Sequence, residues 1–424
     1  MEEQVKRNPK FIAALCLVTI LGLIGWNNLA LTEDDITPSY RAKFDGPQPI
    51  VEPLLQSAER PLAAIVDPET IDFANLSQLK SVFMGRSVSI TESVHTRASF
   101  QNEIQSFTHQ WPAIYATANF EGDSVIVAFN DSINRYSISL DNAELPAFTV
   151  TRPGKVAVRI SGLGSGNHAV RLDKISESLS GAAEFRGFFV SAGSRLFAPP
   201  DKKSREIEFI GDSDTVGYGN TSPGRDCEGD LVFLYTNTLN SFGPIVARHF
   251  NADYQVNAYS GIGLVRNLEG GNPEMTMTTR YIQALFDGTP MQQADGWSPQ
   301  VIVLALGSND FAAEVGQNEQ WADQKSLRDD FETQYVRFLQ RLRSQHPQAL
   351  LVLIALKGYG DDYLAAHQFV QAHFASLGDK RVALAVLPRM QKTACHWHPS
   401  LEDHQMIAKR LINTINELPD VWPN

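Results

Sequence analysis

The stretch IEFIGDSDTVGYGN, Ile207 to Asn220, decides how the chain is read. Glu206 to Ile210 has the length and the apolar, partly β-branched character of a core strand, and Gly211 supplies backbone freedom for a sharp turn where it ends. Ser213 then sits at the carboxyl end of a strand, the edge on which open α/β sheets hold their ligands. A hydroxyl there faces substrate while neighbouring backbone N–H groups serve as donors to an anion. Asp212 and Ser213 are also common caps for a following helix. The tripeptide alone leaves both readings open.

Three later stretches favour the first. A serine hydroxyl is a weak nucleophile that needs a base, usually His, and donors for the oxyanion that forms on an attacked carbonyl. Tyr259-Ser260-Gly261-Ile262-Gly263 follows the apolar Tyr254 to Ala258. Gly307-Ser308-Asn309-Asp310 follows Val301 to Leu306, and Cys395-His396-Trp397-His398-Pro399 precedes the last helical stretch. Each falls where a strand or loop ends on one edge of a sheet.

In this order and setting, the four stretches resemble the four blocks of the SGNH (GDSL-type) hydrolases. The surrounding text, GDSDTVGYGN, Cys227, SFGPIVARHFNADYQVNAYSGIGLVRN, LALGSNDF and CHWHP, is similar to carbohydrate esterase family 2, whose members remove acetyl groups from polysaccharides. The resemblance implies Ser213 as nucleophile, His398 as base, and an oxyanion hole made by the N–H groups of Ser213 and Gly261 and the Asn309 amide. It implies an acetylated carbohydrate as substrate and no metal or other cofactor. Its fold would be an α/β three-layer sandwich, with a flavodoxin-like parallel sheet, preceded by a jelly-roll β-sandwich.

Two positions depart from the family pattern. Cys395 stands where many relatives carry the triad Asp, and His396 replaces the Asp often found two residues before the base. A Ser-His dyad with a backbone carbonyl orienting the imidazole fits this chain. Asp403 and His404 are alternative helpers, with solvated helix surface as their ordinary role. Asp214 replaces an apolar residue; a carboxylate there raises the basicity of His398 if close, or repels acidic substrates. Trp397 is assigned either to the acetyl-group pocket or to packing against the jelly roll.

The chain has 424 residues and a formal net charge of −12, which disfavours a nucleic-acid surface and suits a neutral substrate. A monomer is expected. The three cysteines, Cys16, Cys227 and Cys395, make neither a disulfide framework nor a CxxC zinc pattern. Lys6, Arg7 and Lys10 precede an uncharged run from Phe11 to Trp26, so residues 1–31 read as an export signal, either cleaved or retained as a membrane anchor. Once exported, Cys227 and Cys395 form an even pair in an oxidising compartment. In the family's architecture their loops rim one cleft, so a bridge would pin the base loop mechanically; two free thiols are the alternative.

Residues 32–72 contain Pro38, Pro47, Pro49, Pro53, Pro61 and Pro68, a density that reads as a linker with one docked segment at most. Over residues 73–200 short alternating runs, Ser124 to Phe129, Tyr136 to Leu140, Lys155 to Ile160 and Ala169 to Ile175, predict an antiparallel sandwich. Motifs from Gly85-Arg86 through Trp111-Pro112 to His168–Phe188 resemble the family's jelly roll. Trp111 is read as core, and the domain as one that shapes a wall of the cleft. Pro199 and Pro200 mark the boundary to residues 201–424. There strands at Val301 to Leu306, Leu350 to Ala355 and Val382 to Leu387 alternate with helices at Ser241 to Phe250, Leu327 to Leu342, Asp361 to Leu377 and Leu401 to Leu418, which implies a parallel sheet covered on both faces.

Overall fold

The computed structural model describes residues 50–53, 61–66, 73–95, 101–143, 145–291 and 296–422. The expected export signal at 1–31 and most of the linker lie outside the described residues. Among the described residues no helix is long and apolar enough to cross a membrane.

From Glu206 onward the chain builds one parallel sheet: β1 (Glu206–Gly211), β2 (Asp253–Ala258), β3 (Val301–Ala305), β4 (Leu350–Leu356) and β5 (Val382–Leu387). The spatial order is β2-β1-β3-β4-β5, so the switch point falls at β1, between β2 and β3. A ligand site is expected there, outside the carboxyl ends of the strands. Residues alternate between the two faces. Phe209, Val303 and Val352 pack with α1 (Phe242–His249) and α4 (Leu401–Asn416) through Phe242, Val246, Ile407 and Leu411. Ile210, Leu304 and Leu351 pack on the other face with α2 (Gln324–Gln345) and α3 (Asp361–Ser376) through Leu327, Phe331, Val370 and Phe374. Because both faces are covered, the strands read as continuous apolar runs rather than alternating ones.

The preceding part is an antiparallel sandwich of two sheets. One is ordered 50–53, 148–151, 135–140, 167–174, 115–121, 81–84; the other runs 62–66, 157–161, 124–130, 183–191, 101–109, 87–95, with 76–78 also paired to 183–191. Phe120, Phe129, Tyr136, Phe185 and Phe188 fill the space between them. The linker expectation needs correction here. Ile50–Pro53 pairs with Phe148–Thr151, and Leu62–Val66 pairs with Ala157–Ser161, so the sandwich begins within the proline-rich span. Both are edge strands, the position where a residue without an N–H is tolerated.

The sandwich and the parallel-sheet layer meet through buried polar contacts. Arg86 pairs with Glu208 of β1 at 3.1 Å with both side chains buried, and the Tyr115 hydroxyl donates to Asp253 at 2.6 Å. Trp111 is fully buried; its indole N–H donates to the Gln283 carbonyl at 3.0 Å and its ring meets Phe286 edge-on. It is core, as its sequence context suggests.

Candidate active site

At the end of β1 the chain turns into a single helical turn, Ser213–Val216. A Cβ on Gly211 would lie 2.0 Å from Thr215 Oγ1 and 2.8 Å from the Ala305 carbonyl, so only glycine fits that bend. Asp212 caps the turn by accepting from the Asp214 N–H at 2.9 Å. The Ser213 hydroxyl is left to face His398, whose Nε2 lies 2.9 Å away. Capping and presentation of a hydroxyl are thus divided between two neighbouring residues.

The imidazole has a defined orientation. Nδ1 lies 2.9 Å from the Cys395 carbonyl, which can only accept, so Nδ1 carries the proton and Nε2 is the acceptor facing Ser213. The Tyr218 ring covers the imidazole, with centroids 4.3 Å apart. Burial lowers the pKa of His398, opposed by the negative charge of Asp214 and the Cys395 carbonyl.

Asn309 is buried at the end of β3. One N–H of its amide donates to the Ile262 carbonyl at 2.8 Å; the nearest other contact, Asp212 at 3.5 Å, is too long for a good hydrogen bond. One amide donor is therefore uncommitted. Gly261 has a left-handed φ of 80° in the loop after β2, with open space where a Cβ would stand. Backbone conformation rather than crowding favours glycine there.

That loop has buried supports that sequence reasoning missed. The Asp310 carboxylate accepts three successive backbone N–H groups, from Leu264, Val265 and Arg266, at 2.8–2.9 Å. Arg266 donates to the Asp310 and Ala313 carbonyls and pairs with Glu319. From the sandwich, Glu177 accepts the Ser260 N–H at 2.6 Å; burial raises the pKa of this carboxyl to about 6. The carboxylate directly after Asn309 was a readable signal, whereas Glu177 has none in the sequence.

The loop carrying His398 is held differently. Cys395 is bridged to Cys227 across 168 residues, with a Cα separation of 5.4 Å. Arg225 donates to the carbonyls of Lys392 and Gln391 at 2.9 and 2.8 Å and accepts the His396 N–H through its own carbonyl at 2.9 Å. Ser222 accepts the Cys395 N–H at 2.9 Å, and Tyr218 contacts His396 Nδ1 at 3.0 Å.

Three expectations change. Trp397 does not pack on the sandwich: it is 64 % exposed, with the Arg225 guanidinium 3.7 Å from its ring centroid. Asp214 is buried, its carboxylate committed to Lys392 at 2.9 Å and to the Tyr359 hydroxyl at 2.9 Å. Asp403 and His404 are not solvated surface. Asp403 accepts from the backbone N–H groups of Ser400 and Lys392, and His404 Nδ1 accepts from that of Phe242, because α4 packs its first turn against the base loop and α1. Among the described residues no cluster of side chains could hold a metal ion.

The parallel sheet, its switch point and the Ser213–His398–Asn309 constellation define an SGNH-type hydrolase fold. The carbohydrate esterase 2 N-terminal family model matches residues 94–200, and the GDSL-like lipase/acylhydrolase model matches residues 207–411. A protein of Cellvibrio japonicus, acetylxylan esterase / glucomannan deacetylase, is 36 % identical over 321 residues, covering 76 % of this chain and 88 % of its own. A solved carbohydrate esterase, described as displaying divergent catalytic and non-catalytic binding functions in its active site, aligns with a TM-score of 0.73 at 34 % identity, over 82 % of this chain and all of that one. A family two carbohydrate esterase from Clostridium thermocellum in complex with cellohexaose aligns with a TM-score of 0.65 at 28 % identity, over 80 % and 98 % of the two chains. The chain belongs to carbohydrate esterase family 2.

Proposed function

We propose that the protein removes O-acetyl groups from a polysaccharide by Ser-His catalysis, acting as an acetylxylan-esterase-like enzyme outside the cytoplasm. The observation that carries this reading is the relay Cys395 C=O, His398, Ser213, which is complete without a triad carboxylate. His398 Nε2 takes the Ser213 proton as Oγ attacks the acetyl carbonyl, then gives it to the departing sugar oxygen. Water, deprotonated by the same nitrogen, attacks the acetyl-serine and releases acetate. The negative charge on the tetrahedral carbon's oxygen falls to the N–H groups of Ser213 and Gly261 and to the uncommitted N–H of Asn309. Burial lowers the His398 pKa, which favours the neutral imidazole that accepts the proton.

An acetylated xylan or glucomannan is the substrate supported by the Cellvibrio relative's name. Trp397, exposed and stiffened by Arg225, offers a flat apolar face to a sugar ring beside the serine. The bridge between Cys227 and Cys395 suits an oxidising compartment, in accord with residues 1–31 acting as an export signal or anchor. The test is acetate release from acetylated xylan and glucomannan by the full chain and by Ser213→Ala. Release by the wild type, falling at least about 10³-fold in the variant with unchanged circular dichroism, is expected. Hydrolysis confined to p-nitrophenyl or lipid esters would overturn the substrate assignment, and an active Ser213→Ala would overturn the mechanism.

A further inference from the structure

A buried carboxylate beside a catalytic turn needs a reason, since ionised groups stay charged away from water only when paired. Asp214 follows Ser213 directly and is buried with its Oδ2 on Lys392 Nζ and the Tyr359 hydroxyl, each at 2.9 Å. Lys392 belongs to the loop that ends in His398. Its own backbone is fixed on both sides: the N–H donates to Asp403 at 3.1 Å, the carbonyl accepts from Arg225 at 2.9 Å, and φ is a left-handed 48°. The ion pair therefore joins the segment carrying the serine to the segment carrying the histidine.

The Cys395 carbonyl orients the imidazole but is only a dipole. A full negative charge is what favours the imidazolium that forms when Ser213 gives up its proton. We propose that Asp214 and Lys392 are positioning residues for His398: their ion pair locks the base loop to the nucleophile turn, and the Asp214 carboxylate stabilises the imidazolium in place of a triad aspartate.

The charges around the two groups agree with this. Asp214 is faced by Lys392, His398 and His404, by Asp212 across the capping turn, and by the hydroxyls of Tyr359 and Tyr363. The charges of Asp214, Lys392 and His396 act on His398, which is covered by Tyr218. Lys392 and the other cation-forming groups hold Asp214 ionised, below the usual carboxylate range. At His398 the charge of Asp214 raises the pKa more strongly than Lys392 lowers it. Asp212, buried and repelled by Asp214, is driven the other way, toward its neutral form.

The inference rests on the reading of Ser213 and His398 as the reacting pair, and the experiment separates the two. Using the full chain and p-nitrophenyl acetate, kcat and KM are measured against pH for the wild type, for Asp214→Asn, and for the double variant Asp214→Leu/Lys392→Met. Loss of the carboxylate removes the interaction that raises the His398 pKa, so the acid limb of kcat/KM moves to lower pH. The expected shift is largest in Asp214→Asn, where Lys392 stays charged, and smaller but in the same direction in the double variant. At neutral pH kcat falls on the order of tenfold, less than the ~10²–10⁴-fold that a general base supplies, with KM unchanged because the Asp214 carboxylate is committed to Lys392 and Tyr359. Should Asp214→Asn fail to fold with an unpaired, half-buried lysine, the double variant, whose apolar pair replaces the ion pair, decides alone. An acid limb unmoved or raised in a folded variant overturns the role of Asp214 and leaves the dyad standing. A wild type inactive on the ester overturns both.

Discussion

The two loops that complete the site solve one problem by different means. Tyr259 to Asn267 is held from within: a single buried carboxylate, Asp310, gathers three consecutive N–H groups, and the fully buried Arg266 closes the loop from behind. Lys392 to His398 is held at several separate points, by a disulfide, by Arg225 and by the buried carboxylates of Asp214 and Asp403 on Lys392, and its backbone takes left-handed φ values at Lys392, His396 and Trp397. An oxyanion donor, the role proposed for the Gly261 N–H, must stay fixed, and dry electrostatics supply that stiffness. The loop proposed to carry the base is tied instead by a covalent bond and an ion pair together, the disulfide at Cys395 and the Lys392–Asp214 pair.

The contrast is sharpened most by Asp310→Ala. Three buried N–H groups lose their acceptor at about 1–3 kcal/mol each, so denaturant unfolding should show a loss of about 3 kcal/mol or more, accompanied by loss of turnover. A variant of near-normal stability would break the picture of an internally supported loop. Asn309→Ala should leave stability nearly intact while kcat drops by ~10²–10³, as for removal of one oxyanion donor; a change confined to KM would take Asn309 out of that role. Cys227→Ser/Cys395→Ser should cost about 2–4 kcal/mol in the same unfolding assay, with a partial fall in kcat as the base loop loosens. The smallest effect belongs to His396→Ala. Its imidazole is exposed and its side-chain hydrogen bond among the described residues is to Tyr218, so stability should change by less than about 1 kcal/mol and kcat by less than about threefold. If His396→Ala proved as damaging as His398→Ala, the base would have been assigned to the wrong ring.

Legibility in the sequence followed the same division. The positions of Ser213, Gly261, Asn309 and His398 in the turns and loops beyond the strands were readable because each sits in a short motif after an apolar run or before the last helix, and the order of strands and helices followed from their periods. The partners were not readable. Lys392 meets Asp214 from far along the chain, and Arg225 reaches the base loop through main-chain carbonyls that no side-chain pattern announces. Asp403 and His404 looked like helix surface because periodicity tells which face of a helix is apolar, not which loop is laid over its first turn. Ile50–Pro53 and Leu62–Val66 were hidden by their prolines, since density of proline argues against strands except at a sheet edge, and edges are fixed only by the finished topology.

The hydrogen bond from Ser260 to Glu177 bears on how such a catalyst can be taken apart. Glu177 belongs to the sandwich, yet it steadies the loop that presents Gly261, and Arg86 and Tyr115 reach β1 and the start of β2 from the same side. Cutting the chain after the sandwich would strip Glu208 of Arg86, Asp253 of Tyr115 and the loop bearing Gly261 of Glu177, leaving Glu208 with only Asn257 and Tyr281 and Asp253 with the Lys203 N–H among the described residues. For grafting onto other scaffolds, or for tracing how this architecture was inherited, the smallest exchangeable piece is the pair of layers together.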